Sequence, residues 1–127
     1  MFAVTHKVSD YLVNRGALTG WDFSIDDLTA DSNWHDLDLS SIIPAKATFV
    51  LLNLIIDNIT AERSIRFRTK TVSGETYYAA LHAQFGGRLT DGHYIVALDA
   101  NRVIQYRATA SGWIRLDINV IAWWLLQ

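Results

Sequence analysis

From Trp21 onward, apolar and polar residues alternate along most of the chain, the two-residue period of strands with one buried face. Trp21, Phe23 and Ile25 alternate with Asp22, Ser24 and Asp26. Asp31-Ser32-Asn33 reads as a turn, after which Trp34 to Leu39 sets Leu37 and Leu39 against the carboxylates of Asp36 and Asp38. Pro44, the only proline, breaks the pattern and holds Ile43 extended. Ala47 to Ile56 is apolar on both faces except at Asn53, with Phe49, Leu51 and Ile55 on one side and Val50, Leu52, Leu54 and Ile56 on the other. A strand of that kind expects cover on both sides. Its β-branched and aromatic content argues against a buried helix.

Arg63 to Lys70 alternates again, with Ile65 and Phe67 opposite Arg66, Arg68 and Lys70. Ser73-Gly74 reads as a turn, Tyr77 to Phe85 as a strand closed by Gly86-Gly87, and Asp91-Gly92 as another turn. His93–Leu98 and Val103–Ala108 flank Asp99–Arg102 as a hairpin candidate. After Ser111-Gly112 comes a final strand, in which Ile114, Leu116, Ile118 and Val120 share the core face and Arg115, Asp117 and Asn119 the other. Parity then sends Trp124 to the core and Trp123 to the opposite face, unless a bulge between Val120 and Trp123 exchanges them. About eight short strands at regular spacing predict an all-β sandwich or barrel. It forms one domain over residues 21–127. Residues 1–20 form an amino-terminal arm or peripheral strand, because Val4 to Val13 mixes helical and strand signals and Gly16 and Gly20 punctuate its end.

Composition narrows the function. Half of the 127 residues are apolar and only 19% are charged, so the surface holds apolar area that seeks a partner. The net charge of −2 lacks the basic excess of a nucleic-acid binder. The longest uncharged apolar run, Ile118 to Leu126, is too short to span a bilayer, and the charges within the first apolar stretch exclude a signal peptide. Neither nucleic acid nor membrane is an expected partner. The absence of cysteine excludes disulfides and thiolate metal sites. Aromatic residues make up 12% of the chain and dominate interface energetics where they are exposed. Phe49, Leu51, Ile55 and Trp123 are the apolar interface candidates. A single large core is the plainer reading, and an aromatic sugar-binding platform is a third.

No phosphate-binding loop, nucleophile elbow or zinc-protease helix is present. His6, His35, His82 and His93 lie too far apart to suggest a metal site. Asp36 and Asp38 share a face and have the types of an acid–base pair, but such spacing is common on solvated strands. A sandwich-fold glycan hydrolase or lyase would need a second carboxylate about 5–9.5 Å from one of them. Asp22, Asp26, Asp27 and Asp31 offer calcium-type oxygens without the EF-hand spacing. Arg63, Arg66, Arg68 and Lys70 make a positive stripe. Solvent alone accounts for it, but Arg66 and Arg68 are also candidates for a partner's carboxylates, and a polyanion is the least favoured option. No catalytic residue, cofactor or metal ligand is expected, and the chain does not read as an enzyme.

Trp34-His35-Asp36-Leu37-Asp38-Leu39-Ser40-Ser41-Ile42-Ile43-Pro44-Ala45, then Phe49-Val50-Leu51-Leu52, Ile65-Arg66-Phe67-Arg68, Val96-Ala97-Leu98-Asp99, Arg102-Val103-Ile104-Gln105-Tyr106 and a final strand from Trp113 to Trp123-Trp124 follow one another in a distinctive order. This order resembles small β-sandwich modules of tailed-bacteriophage virions, found as capsid decoration (cement) proteins and as tail-fibre tips. The resemblance spans about residues 30 to 125, leaves the first thirty as a possible attachment element, and implies a jelly-roll-like antiparallel sandwich, commonly a homotrimer. It implies a virion protein, made in the host cytoplasm, whose partners are its own copies and the major capsid protein or another virion protein. The lack of a fibrous shaft favours decoration of the head. The alternative is a tail-fibre or tail-tip module that binds a receptor or a host-surface glycan.

Overall fold

A computed structural model describes residues 11–70 and 79–125. Among these residues are eight strands: β1 (Leu12–Asn14), β2 (Trp34–Asp38), β3 (Ala47–Asn58), β4 (Ser64–Thr69), β5 (Ala79–His82), β6 (Thr90–Ala97), β7 (Val103–Ala108) and β8 (Trp113–Leu125). They form two four-stranded sheets, β1-β8-β3-β6 and β2-β7-β4-β5. Every pairing is antiparallel. The first strand pairs with the eighth, the second with the seventh, the third with the sixth and the fourth with the fifth. The chain is thus one long hairpin rolled over itself, the jelly-roll winding of an antiparallel β-sandwich.

The alternation seen in the sequence fills the space between the sheets. Val50, Leu52, Leu54 and Ile56 of β3 and Leu116, Ile118 and Val120 of β8 are completely buried. Ile65 and Phe67 of β4 and Ile104, Tyr106 and Ala108 of β7 meet them from the other sheet, with Leu37 and Leu39 alongside. Each large side chain so buried contributes about 1.5–3 kcal/mol before the entropy of ordering is counted. Asp36 and Asp38 stay exposed opposite Leu37 and Leu39, as the alternation predicts.

Several expectations are corrected. Trp21 to Ile25 is not a strand. Phe23 makes a single bridge to Ile118, and Ser24 then opens a 3₁₀ turn at Ile25–Asp27, with the Asp27 carboxylate accepting the Ser24 N–H at 2.9 Å. Asp91-Gly92 is not a turn but lies inside β6, opposite Ile55 and Leu54. Glycine fits closely there: a Cβ would sit 3.0 Å from the Tyr94 ring and 3.3 Å from Leu81, so these side chains would have to give way. Asp99–Arg102 does not close a hairpin, since β6 and β7 belong to opposite sheets. It is a corner, shaped by Asp99 accepting the N–H groups of Asn101 (3.0 Å) and Val103 (2.8 Å). β3 is fully covered on its inner face only, with Phe49 on the other face 45% exposed.

Two irregularities in β8 change the parity of its ends. The pairing with β3 shifts between Asp57 and Asn58, which turns Trp113 toward the core and leaves Ile114 55% exposed rather than buried. It shifts again between Leu51 and Leu52, where Ile121 is the extra residue. The Met1–Asp10 part of the arm, with His6, the Ser73-Gly74 turn and the Tyr77-Tyr78 start of the fifth strand lie outside the described residues. Among the described residues, no helix is long and apolar enough to cross a membrane.

Candidate functional site

The outer face of the β1-β8-β3-β6 sheet is built of cross-strand rows. Leu12, Trp124, Phe49 and Ala97 form one row, and Asn14, Ala122, Leu51 and Ile95 the next, apolar but for Asn14 at its edge. Asn119, Asn53 and His93 follow, then Asp117, Ile55 and Asp91. One half of the face is therefore apolar and the other polar. Phe49 and Ile95, the latter 54% exposed, stand beside Trp124. With Tyr11, Thr48 and Leu125 these three line a shallow concavity of about 500 Å³. Exposed apolar residues scattered singly are ordinary, whereas this is a contiguous group centred on an indole.

Trp124 reaches this face because of the Ile121 bulge. Trp123 pairs with the inward Val50 and packs against the core, and Trp124 pairs with the outward Phe49. Simple parity places them the other way round. The Trp123 Nε1–H is buried and has no acceptor among the described residues.

A loop from Arg15 to Asp22 crosses the polar half of the face. Here β8 has lost its edge partner, because β1 has ended and the Phe23 bridge has not begun. Side chains substitute: the Asp22 carboxylate accepts the Val120 N–H at 2.8 Å, and Arg15 Nη1 donates to the Val120 carbonyl at 3.0 Å. Arg15 and Asp22 also pair with each other. The Asp22 N–H donates to Asn119 Oδ1 at 2.7 Å. The clamp holds the loop over a basin of about 490 Å³, lined by loop residues with Asn53, Ile55, Asn119 and Ile121 below.

On the far side of the sandwich, the outer face of the other sheet carries Arg66 and Arg68. Arg68 is nearly buried, with its guanidinium 4.1 Å from the centre of the Trp34 ring and its Nε donating to Gln105 at 2.8 Å. Gln105 donates to Asp36 at 2.9 Å, and Lys70 donates to the other Asp36 oxygen at 2.6 Å. The positive stripe is thus knitted to a carboxylate of its own chain. Arg66 stands across from Arg107 beside a depression of about 190 Å³ that Ser32, Ser64 and Thr109 also line. The hydrogen bond from Lys70, then that from Gln105, holds the Asp36 carboxyl below its ordinary value. Bonding to Ser40 does the same for Asp38. A proton-donating catalytic carboxyl needs the opposite shift.

No protein-family model matches the chain, and no curated protein matches it significantly.

The interface candidates therefore do not form one patch. Phe49, Leu51 and Ile55 stand in one file on the first outer face, Arg66 and Arg68 lie on the opposite outer face, and Trp123 points inward. Sequence reasoning missed Trp124, Ile95 and Tyr11. Ile95 was legible once β6 is run through Gly92, and Trp124 only if the bulge is known. The acidic stretch does not converge. Asp22 clamps β8, Asp27 caps the 3₁₀ turn, and Asp31 accepts from the Asn33 N–H and pairs with His35 at 2.7 Å. Among the described residues, no three His, Cys, Asp or Glu side chains gather as a metal site.

Proposed function

We propose that this domain is a non-enzymatic structural protein that assembles as a homotrimer through the apolar half of its β1-β8-β3-β6 face. The supporting observation is the Trp124–Phe49–Ile95 group, which the described residues leave uncovered on the outer face of the sheet. A trimer interface would remove these side chains from water, the usual role of a clustered aromatic anchor. The finer role we propose is decoration of a tailed-phage head, in the virion, against the major capsid protein. The jelly-roll winding agrees with the resemblance drawn from the sequence, and the fold recurs in viral capsid proteins. Bound to the shell and to its own copies, such a protein stabilises the particle by mass action.

Light scattering on the purified chain tests the assembly. The expected mass is three protomers, falling to one in Phe49→Glu with the circular dichroism spectrum unchanged. A clean monomer at micromolar concentration overturns the reading. Counting copies in purified particles tests the finer role: hundreds mean head decoration, and a few mean a tail location.

A further inference from the structure

The polar half of the same face carries a feature that assembly through the apolar half does not use. Asn53 and Asn119 are directly opposed on the two central strands, and both line the basin under the Arg15–Asp22 loop. Asparagine is depleted in strands because it packs poorly on a pleated surface. A buried amide finds a partner in the protein or in water, and one facing an open basin is free to exchange water for a ligand. Asn53 is half-buried, yet among the described residues its amide makes no hydrogen bond. Asn119 uses its carbonyl oxygen to hold the Asp22 N–H, and its amide nitrogen has no partner among the described residues. Two adjacent amides thus line one basin with four N–H donors and the Asn53 carbonyl acceptor unspent among the described residues.

The rest of the lining limits what can use them. Gly16, Leu18, Thr19, Gly20, Trp21, Ile55 and Ile121 complete it, so among the described residues no ionisable side chain lines the basin. Two nearby pairs are internally neutral, Arg15 with Asp22 and Arg115 with Asp117, while His93 and Asp91 lie on β6 opposite Asn53 and Ile55, outside the lining. Within the lining there is no charge to favour a phosphate, a carboxylate or a cation. The Trp21 indole forms one wall, with the Arg115 guanidinium 5.4 Å from its ring centre, and Ile55 and Ile121 form apolar floor. An extended peptide is disfavoured because it binds sheets by adding to an edge. Both strands beneath the basin are internal, with their backbone groups committed to neighbours or to the clamp. From the sheet beneath, only side chains are available to read the ligand.

We propose that this basin binds a neutral saccharide, with Asn53 and Asn119 bonding a pair of adjacent ring hydroxyls and Trp21 with the isoleucines meeting the apolar face of the ring. An amide presents a donor and an acceptor in one plane, and two neighbouring hydroxyls present the complementary pair. A basin of mixed apolar walls and few polar groups is the usual form of a small-ligand site.

The test is a printed array of neutral and acidic oligosaccharides, followed by titration of the best neutral binder with tryptophan fluorescence as readout. Neutral glycans should bind, sialylated and sulfated ones should gain nothing from their charge, and emission should change through Trp21. Asn53→Ala loses no bond among the described residues. It should keep the wild-type melting temperature and weaken binding at least tenfold. An array with no neutral binder, binding that requires the acidic group, or full binding by Asn53→Ala each overturns the proposal. The oligomeric mass is measured separately, so the trimer and the saccharide site fail or survive independently.

Discussion

Asp22 accepts a hydrogen bond from the backbone N–H of Val120, a residue 98 positions away, at 2.8 Å. A side chain there takes the place of an edge strand. Removing it strands a partly buried donor and deprives Arg15 of its counter-charge. Asp22→Ala should therefore cost about 1–3 kcal/mol in urea unfolding, with faster exchange of the Val120 amide. The exposed Asp26→Ala should stay within about 0.5 kcal/mol of wild type. Equal stability of the two variants would show that the clamp is decorative.

The two adjacent tryptophans should behave differently. Trp123→Ala removes a large side chain packed on the core and should destabilise the protomer by about 3 kcal/mol, the low end for buried tryptophan because it is not fully enclosed. Trp123→Phe should cost much less, because it also removes a buried N–H with no acceptor among the described residues. Trp124→Ala should leave the unfolding midpoint of a dilute sample unchanged and shift the assembly equilibrium toward monomer. Chemical denaturation and light scattering on the same three variants decide the matter.

Two glycines give a contrast in thermal melts. A Cβ on Gly86 would lie 2.5 Å from the backbone oxygen of Ile59, which only a shift of the chain can relieve. Gly86→Ala should lower stability by about 1–3 kcal/mol, the range for overpacking. Gly20 has open space around it and an ordinary φ. Gly20→Ala should be neutral or stabilise by up to about 1 kcal/mol through the unfolded state.

The Asp36–Lys70 bond sets a pH window. The Asp36 pKa is lowered from 3.8, so its contribution is present above that value and is lost as pH falls through the lower folded value. The Lys70 pKa is raised from 10.5, so its contribution is complete below that value and is lost as pH rises through the higher folded one. Asp36→Asn should trail wild type by a small constant margin between these limits and draw level in strong acid. Added salt should narrow the margin, because both groups are solvent-exposed.

Much of the fold was legible because a half-buried strand writes its orientation into alternate residues. Leu37, Leu39, Ile65, Phe67, Leu116, Ile118 and Val120 all face inward as the alternation predicts. The errors share a cause. Parity propagates along a strand, so the single extra residue at Ile121 reverses everything after it, and nothing in the residues 120–124 announces the insertion. Asp91-Gly92 has the composition of a turn, but Gly92 is there for its missing Cβ and not for a positive φ. The basin was invisible for a further reason. Asn53 and Asn119 are 66 positions apart in sequence and become neighbours only through the β3–β8 register.

The position of β8 bears on how the protein is made. It is the last of the eight strands to be synthesised, yet it lies between β1 and β3, in the interior of its sheet. Until it emerges from the ribosome, β1 has no partner strand and β3 has one bare flank facing solvent. The β3–β6 pair can form on the growing chain, but the sheet is completed only after synthesis of β8, and a message truncated before Trp113 yields a product with a sticky, unpaired strand edge, a natural substrate for chaperones and proteases.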